Sequence, residues 1–352
     1  MYSEYNVVHL NLSNTKQLNE WSTLLEEEGL TAFSKVDLAE LDFTLGIYLD
    51  DELIATASSS TNIIKFVAIK ESERAGGSLF NTLISSVISD LATRHIFHVF
   101  VFTKPVYSQS FQYLGFKELA STEKGCLLET GDQTIKDYLN DIPHKNGDKI
   151  ASIVMNANPF TLGHRHLVET AASENEWVYL FVVSADRSLF TTEERYQLVQ
   201  ENTKDLENVI VCSGADYQVS PVTFPTYFLK DTDDKVAFQT TLDASIFKKW
   251  FVPELNITSR YLGEEPFSVT TQAYNEALQS VLNDVCDVKV ISRKKTQEGI
   301  AISATEIRHL LAHNQLEYIK DQVPKPTIDF IMAHKDILFT RIKTKEEIKN
   351  ED

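Results

Sequence analysis

Positive charge is in short supply in this chain. Its 352 residues carry 33 lysines and arginines against 51 aspartates and glutamates, a formal net charge of −18. A general binder of nucleic acid or of an anionic membrane needs a basic surface, so the balance argues against both. Cysteine is scarce too, at Cys126, Cys212 and Cys286. An odd, scattered set implies neither a disulfide framework nor a zinc site, and it fits a reducing cytoplasm. No apolar run approaches the ~18 residues of a membrane span. The start, Met1-Tyr2-Ser3-Glu4-Tyr5, lacks the basic and apolar regions of a signal peptide. Internal repeats and low-complexity tracts are missing. What remains is 43% hydrophobic, enough for real cores, in a length that suggests two domains.

The informative stretch is Ile153-Val154-Met155-Asn156-Ala157-Asn158-Pro159-Phe160-Thr161-Leu162-Gly163-His164-Arg165-His166. A short apolar run ends in a turn-forming cluster. An apolar stripe with helical spacing then opens at Leu167, Val168, Ala171 and Ala172. Strand, tight loop and helix start make an anion site in a parallel α/β sheet, because backbone N–H groups and the helix dipole both favour negative charge there. Thr161-Leu162-Gly163-His164 resembles the T/H-x-G-H signature of the nucleotidyltransferase superfamily. The second signature of that superfamily, I-S-x-T/S-x-x-R, is matched by Ile302-Ser303-Ala304-Thr305-Glu306-Ile307-Arg308. The resemblance implies an ATP-using enzyme with His164, Thr161 and Arg308 at the phosphates. It also implies nucleotide contacts from Asn156, Asn158, Phe160, Gly163, Ser303 and Thr305. ATP would come with Mg²⁺, without a dedicated protein metal site. The roles of Arg165 and His166 stay open. Arg293-Lys294-Lys295 reads equally as a pyrophosphate contact or a solvated charge run.

After the polar linker 142–149, strands and helices alternate. Strands are expected at Trp177–Val183, Val209–Cys212, Arg260–Leu262 and Val288–Ile291, with a helix over Ala237–Trp250 and a capping box at Thr191–Glu194. Apolar strands alternating with helices predict a doubly wound parallel sheet. Ligands bind at the C-terminal strand edges of such sheets. Ser184, in Ser184–Phe190, and Gly263 with Glu264, before Glu265-Pro266, fall there as further candidates for ATP.

Earlier in the chain, strands are expected at Phe43–Tyr48, Leu53–Ser58, Ile63–Ile69 and Phe97–Phe102, with turn Asp50-Asp51-Glu52. Residues up to about 42 read as helix and loop. The stripe Leu79, Phe80, Leu83, Ile84, Val87, Ile88 and Leu91 predicts a helix, and Ser108–Leu114 a shorter one closed by Gly115. This order resembles the GNAT acetyltransferase fold. The resemblance puts Arg74, Gly76, Gly77 and Ser78 where that fold holds the pyrophosphate of coenzyme A, although the two glycines are adjacent here.

The fold expected is therefore α/β: a GNAT-like α+β domain over 1–141, then a doubly wound, Rossmann-like nucleotidyltransferase domain over 150–352. That combination resembles the citrate lyase ligases, with shared wording at Phe102-Thr103-Lys104-Pro105, Tyr261-Leu262-Gly263-Glu264-Glu265-Pro266-Phe267 and both signatures. The resemblance implies activation of acetate by ATP as acetyl-adenylate. The acetyl group would pass to the thiol of a dephospho-CoA-derived prosthetic group on the acyl carrier subunit of citrate lyase. An adenylyltransferase for a nucleotide or phosphopantetheine precursor would use the same motifs. A carrier-binding module with a degenerate catalytic half is a third reading, which the intact motifs oppose.

Overall fold

The computed structural model describes residues 5–30, 35–74, 77–184, 188–220, 222, 232–264, 269–296 and 298–350. Gly76, the 185–187 part of the Ser184–Phe190 cluster and 265–268 of the later turn lie outside them. In chain order the elements are β1 (Val7–His9), α1 (Thr15–Glu27), α2 (Lys35–Ala39), β2 (Phe43–Leu49), β3 (Glu52–Ser60), β4 (Ile63–Ile69), α3 (Ser78–Thr93), β5 (Val99–Thr103), α4 (Pro105–Tyr113), β6 (Lys117–Ser121), β7 (Cys126–Thr130) and α5 (Ile135–Asn140). There follow β8 (Ile150–Met155), α6 (Leu162–Glu174), β9 (Trp177–Val182), α7 (Thr192–Thr203), β10 (Val209–Ser213), α8 (Thr232–Ile246), α9 (Val252–Glu254), β11 (Ser259–Gly263), α10 (Val269–Leu282), β12 (Asp287–Ile291), α11 (Ala304–Ala312), α12 (Lys325–Ala333) and α13 (Lys335–Asn350).

The chain divides into two compact units, Met1–Tyr138 with Val222–Ile246, and Leu139–Pro221 with Phe247–Asp352. Val222–Ile246 groups with the first unit although it lies inside the span 150–352 expected as the second domain. The cause is apolar. In α8 Phe238, Leu242, Ala244 and Ile246 are all buried, and the Phe238 ring meets Phe102 of β5 edge-on at 5.4 Å.

The first unit is a mixed seven-stranded sheet in the order β1-β2-β3-β4-β5-β7-β6. Its pairs are antiparallel except β4 with β5. Both faces are covered. Leu79, Leu83, Ile84, Val87 and Leu91 of α3 pack with Leu45, Ile64 and Val101, while Trp21, Leu24 and Leu25 of α1 pack with Leu53 and Phe66. The parallel pair touches only at Ile63↔Phe100 and Ile64↔Val101. Beyond it β4 leaves its neighbour. Phe66 sits at φ 52°, and the β3–β4 register shifts between Thr56 and Ser58, as an extra residue bends a strand.

The second unit is a parallel sheet, β10-β9-β8-β11-β12. Ala151, Ile153, Val178, Leu180 and Tyr261 form its core with Val168 of α6, Leu198 of α7 and Ile307 of α11. The strand order reverses between β8 and β11, so β8 ends at the switch point. The linker segment is held to this unit: the Lys145 N–H donates to the Tyr179 hydroxyl at 3.0 Å, which donates to the Pro143 carbonyl at 2.8 Å.

Several boundaries differ from expectation. β5 begins at Val99 because Phe97 is half exposed and His95 turns the chain at φ 61°. α4 starts at Pro105, a proline at N1 whose missing N–H costs nothing there. The helix expected over Ala237–Trp250 is α8 followed by a π turn at Phe247–Phe251. Strand β1 stands where helix and loop were expected. Among the described residues no helix is long and apolar enough to cross a membrane.

Candidate functional site

Four strand ends of the parallel sheet converge on one edge: Met155 of β8, Val182 of β9, Gly263 of β11 and Ile291 of β12. The loop leaving β8 opens α6 through a capping box. Thr161 accepts the His164 N–H at 3.3 Å, and the His164 Nδ1 accepts the Thr161 N–H at 3.0 Å. A ring nitrogen that accepts a backbone N–H carries no proton, so the neutral imidazole bears its proton on Nε2. It is neutral at pH 7, since burial and the Arg293 charge push its pKa down to about 4. The signature histidine is thereby fixed as an N–H donor.

The second signature is joined to the first. Ser303 caps α11 by accepting the Glu306 N–H at 3.1 Å. Arg308, one turn on, donates to the Asn158 carbonyl at 2.7 Å and to the Thr305 hydroxyl at 3.0 Å. A Cβ on Gly163 would lie 3.5 Å from the Ile302 carbonyl, so the two helix starts adjoin. Arg293 donates to the Glu264 carbonyl at 2.7 Å, and the Glu264 N–H donates to Ile291 at 2.9 Å. His164, Arg293 and Arg308, all partly buried, thus belong to one edge. Burial pulls both arginines below their ordinary pKa. Gly263 leaves open space where a Cβ would stand.

Other sequence candidates fall differently. Phe160 is 0% exposed. It lies in the core with its ring 5.5 Å from that of His164, so it packs behind the histidine and offers no face to a nucleotide. Asn158 is buried and accepts the Phe190 N–H at 3.1 Å. Thr161 is 2% exposed and its hydroxyl accepts the His164 N–H of the cap. Arg165 turns away to Asp205 and Glu169. Ser184 stands at the sheet edge, 3.4 Å from the Ser213 hydroxyl.

Sequence reading passed over Arg195. Fully buried on α7, it donates to the carbonyls of Asn156 (3.0 Å), Phe190 (3.2 Å) and Val183 (2.5 Å), and to the Asn156 side chain at 2.9 Å. It ties the motif loop to the loop after β9. A Glu-Glu-Arg run after a capping threonine reads as solvated charge, so no local signal marked it.

In the first unit, the splay of β4 and β5 opens a cavity of about 500 Å³. Phe66 to Ile69, Phe102 to Lys104, Arg74, Gly77, Asn81, Tyr107 and Tyr113 line it. Gly77 begins α3 at φ 69°, a left-handed position that glycine adopts freely. Ser78 is exposed at the first turn. Arg74 lines the cavity, but its guanidinium is paired with Glu28 and donates to the Ile69 carbonyl at 3.0 Å. Its charge is therefore largely neutralised.

Comparison with known proteins agrees across the chain. Residues 150–331 match the family model described as the citrate lyase ligase C-terminal domain. The chain is 35% identical over 328 residues to the [citrate [pro-3S]-lyase] ligase of Escherichia coli (strain K12), covering 91% of each. It is 32% identical to that of Haemophilus influenzae over 90% of this chain and 95% of the other. The Klebsiella pneumoniae protein is 31% identical over 84% and 88%. Identity at this level over nearly the whole length means that the chain belongs to the citrate lyase ligase family.

Proposed function

We propose that this enzyme activates acetate with ATP and passes the acetyl group to the thiol of a dephospho-CoA-derived prosthetic group on the acyl carrier subunit of citrate lyase, in the cytoplasm. The observation that carries the nucleotide half is the Arg308 bond to the Asn158 carbonyl. It joins two signatures 150 residues apart into one cationic edge. In the first step an acetate oxygen attacks the α-phosphorus of ATP, and the bond to the bridging oxygen of the departing pyrophosphate breaks. Negative charge grows on phosphate oxygens, where the His164 Nε2–H, Arg293, Arg308 and the starts of α6 and α11 are suited to receive it. In the second step the arm's sulfur, its proton lost to solvent, attacks the acetyl carbonyl. A C–S bond forms, the C–O bond to phosphate breaks, and AMP leaves.

Mg²⁺ fits as part of the ATP complex, held by phosphate oxygens and water. Among the described residues no three His, Cys, Asp or Glu side chains gather to hold a metal. The β4–β5 cavity is suited to the CoA-like arm, with the start of α3 at its wall for the diphosphate. The test is isotope exchange between pyrophosphate and ATP. Exchange that depends on acetate supports this reading. Exchange that ignores acetate but responds to a phosphorylated cofactor precursor would favour an adenylyltransferase instead.

A further inference from the structure

The charged side chains on the wall of the β4–β5 cavity are Glu28, Glu73, Arg74 and Lys104. Three of them are engaged. Arg74 pairs with Glu28, whose other oxygen accepts the Glu71 N–H at 3.1 Å. Glu73 accepts the Ser72 hydroxyl at 3.3 Å. The Lys104 side chain has no ion pair or hydrogen bond among the described residues. It is half-buried, directly after the last residue of β5, at the N-cap of α4. Its ammonium lies 3.7 Å from where a Cβ on Gly29 would stand, and Gly29 has none. The cavity wall continues to Gly77 and Asn81 at the start of α3.

A half-buried lysine whose ammonium has no ion pair among the described residues, in a cavity that also meets a helix N-terminus, is a site for an anion. We infer that Lys104 is the anion-binding residue of this cavity and holds the diphosphate of the CoA-like arm together with the start of α3. The role expected of Arg74 passes to Lys104, because Arg74 already has its carboxylate. The inference rests on the reading of the cavity as the arm site.

The experiment measures binding of two free thiols to the full chain by calorimetry: dephospho-CoA, and pantetheine, which has the same thiol arm without diphosphate or nucleoside. Wild type should prefer dephospho-CoA, with an affinity that falls as salt rises. Lys104→Met should bind dephospho-CoA about tenfold or more weakly, on the scale of one hydrogen bond to a charged group. Its salt dependence should flatten while pantetheine binding stays within about twofold. Lys104→Arg should restore most of the loss, which a mere packing role would not predict. Dephospho-CoA affinity and salt dependence unchanged in Lys104→Met would overturn the assignment of Lys104 while leaving the arm site standing. Failure of wild type to bind dephospho-CoA at all would overturn the arm site itself.

Discussion

At the scale of single residues, His164 combines a fixed tautomer with a depressed pKa. Under the proposed function, replacing it by alanine removes one N–H donor from the developing phosphate charge. Such a donor is worth about 3–4 kcal/mol, or roughly 10²–10³ in rate. His164→Ala should therefore lose acetate-dependent exchange by that factor and keep its thermal midpoint, and near-normal exchange in the folded variant would remove His164 from the site. The pKa gives a second expectation. The folded value is about 4 against an ordinary 6.5, so between those pH values the unfolded chain binds more protons. The stabilising contribution is then complete above pH 6.5 and is lost as pH falls towards 4. Ring titration followed by NMR should show the midpoint near 4, and a midpoint near 6.5 would contradict the buried, Arg293-flanked setting. The motif singled out His164 as a candidate. It could not disclose that Phe160 and Thr161 hold it from behind, since a motif records identity and not the direction of a side chain.

At the scale of elements, α11 meets the α6 loop through one planar guanidinium. Arg308 bonds two acceptors at once, and lysine cannot reproduce that fork. Arg308→Lys should lower kcat/KM for ATP by roughly ten- to a hundredfold, and wild-type kinetics in that variant would mean the motif contact is incidental. Arg195 does the corresponding work between α7 and the same loop. Arg195→Met leaves the buried carbonyls of Phe190 and Val183 without this donor, together with the Asn156 carbonyl, at a cost on the order of 3 kcal/mol. Urea unfolding reads that loss directly, and a change below about 1 kcal/mol would contradict it. Helices with apolar stripes, such as α3, were legible from spacing alone, as were the strands of the parallel sheet. The splay of β4 from β5 was not. It depends on a left-handed Phe66 and a register shift, neither of which an apolar run encodes. The same holds for Arg195, whose partners are carbonyls far along the chain.

For the whole molecule, the alternation of strands and helices foretold two architectures, and both are present. Their division along the chain was harder to read, because Val222–Ile246 lies inside the second half by sequence and belongs to the first unit by packing. Nothing in the composition of that segment announces where its apolar residues are buried. A chain beginning at Asn146 keeps both nucleotide motifs, yet it removes Phe102, the ring that the buried Phe238 of α8 meets. It should associate in solution or unfold at lower temperature than the full chain. Replacing residues 222–246 by a short polar linker in that fragment should restore a monomer, as light scattering would show; a fragment that is monomeric without the replacement would contradict this. The same excursion sets an order for synthesis. Chains emerge from the ribosome N-terminus first, so the first unit has its sheet complete at Thr130 but must wait until Ile246 has emerged. Three strands of the second sheet, β8 to β10, are made in the interval. The later half of the protein is therefore begun before the earlier half can close.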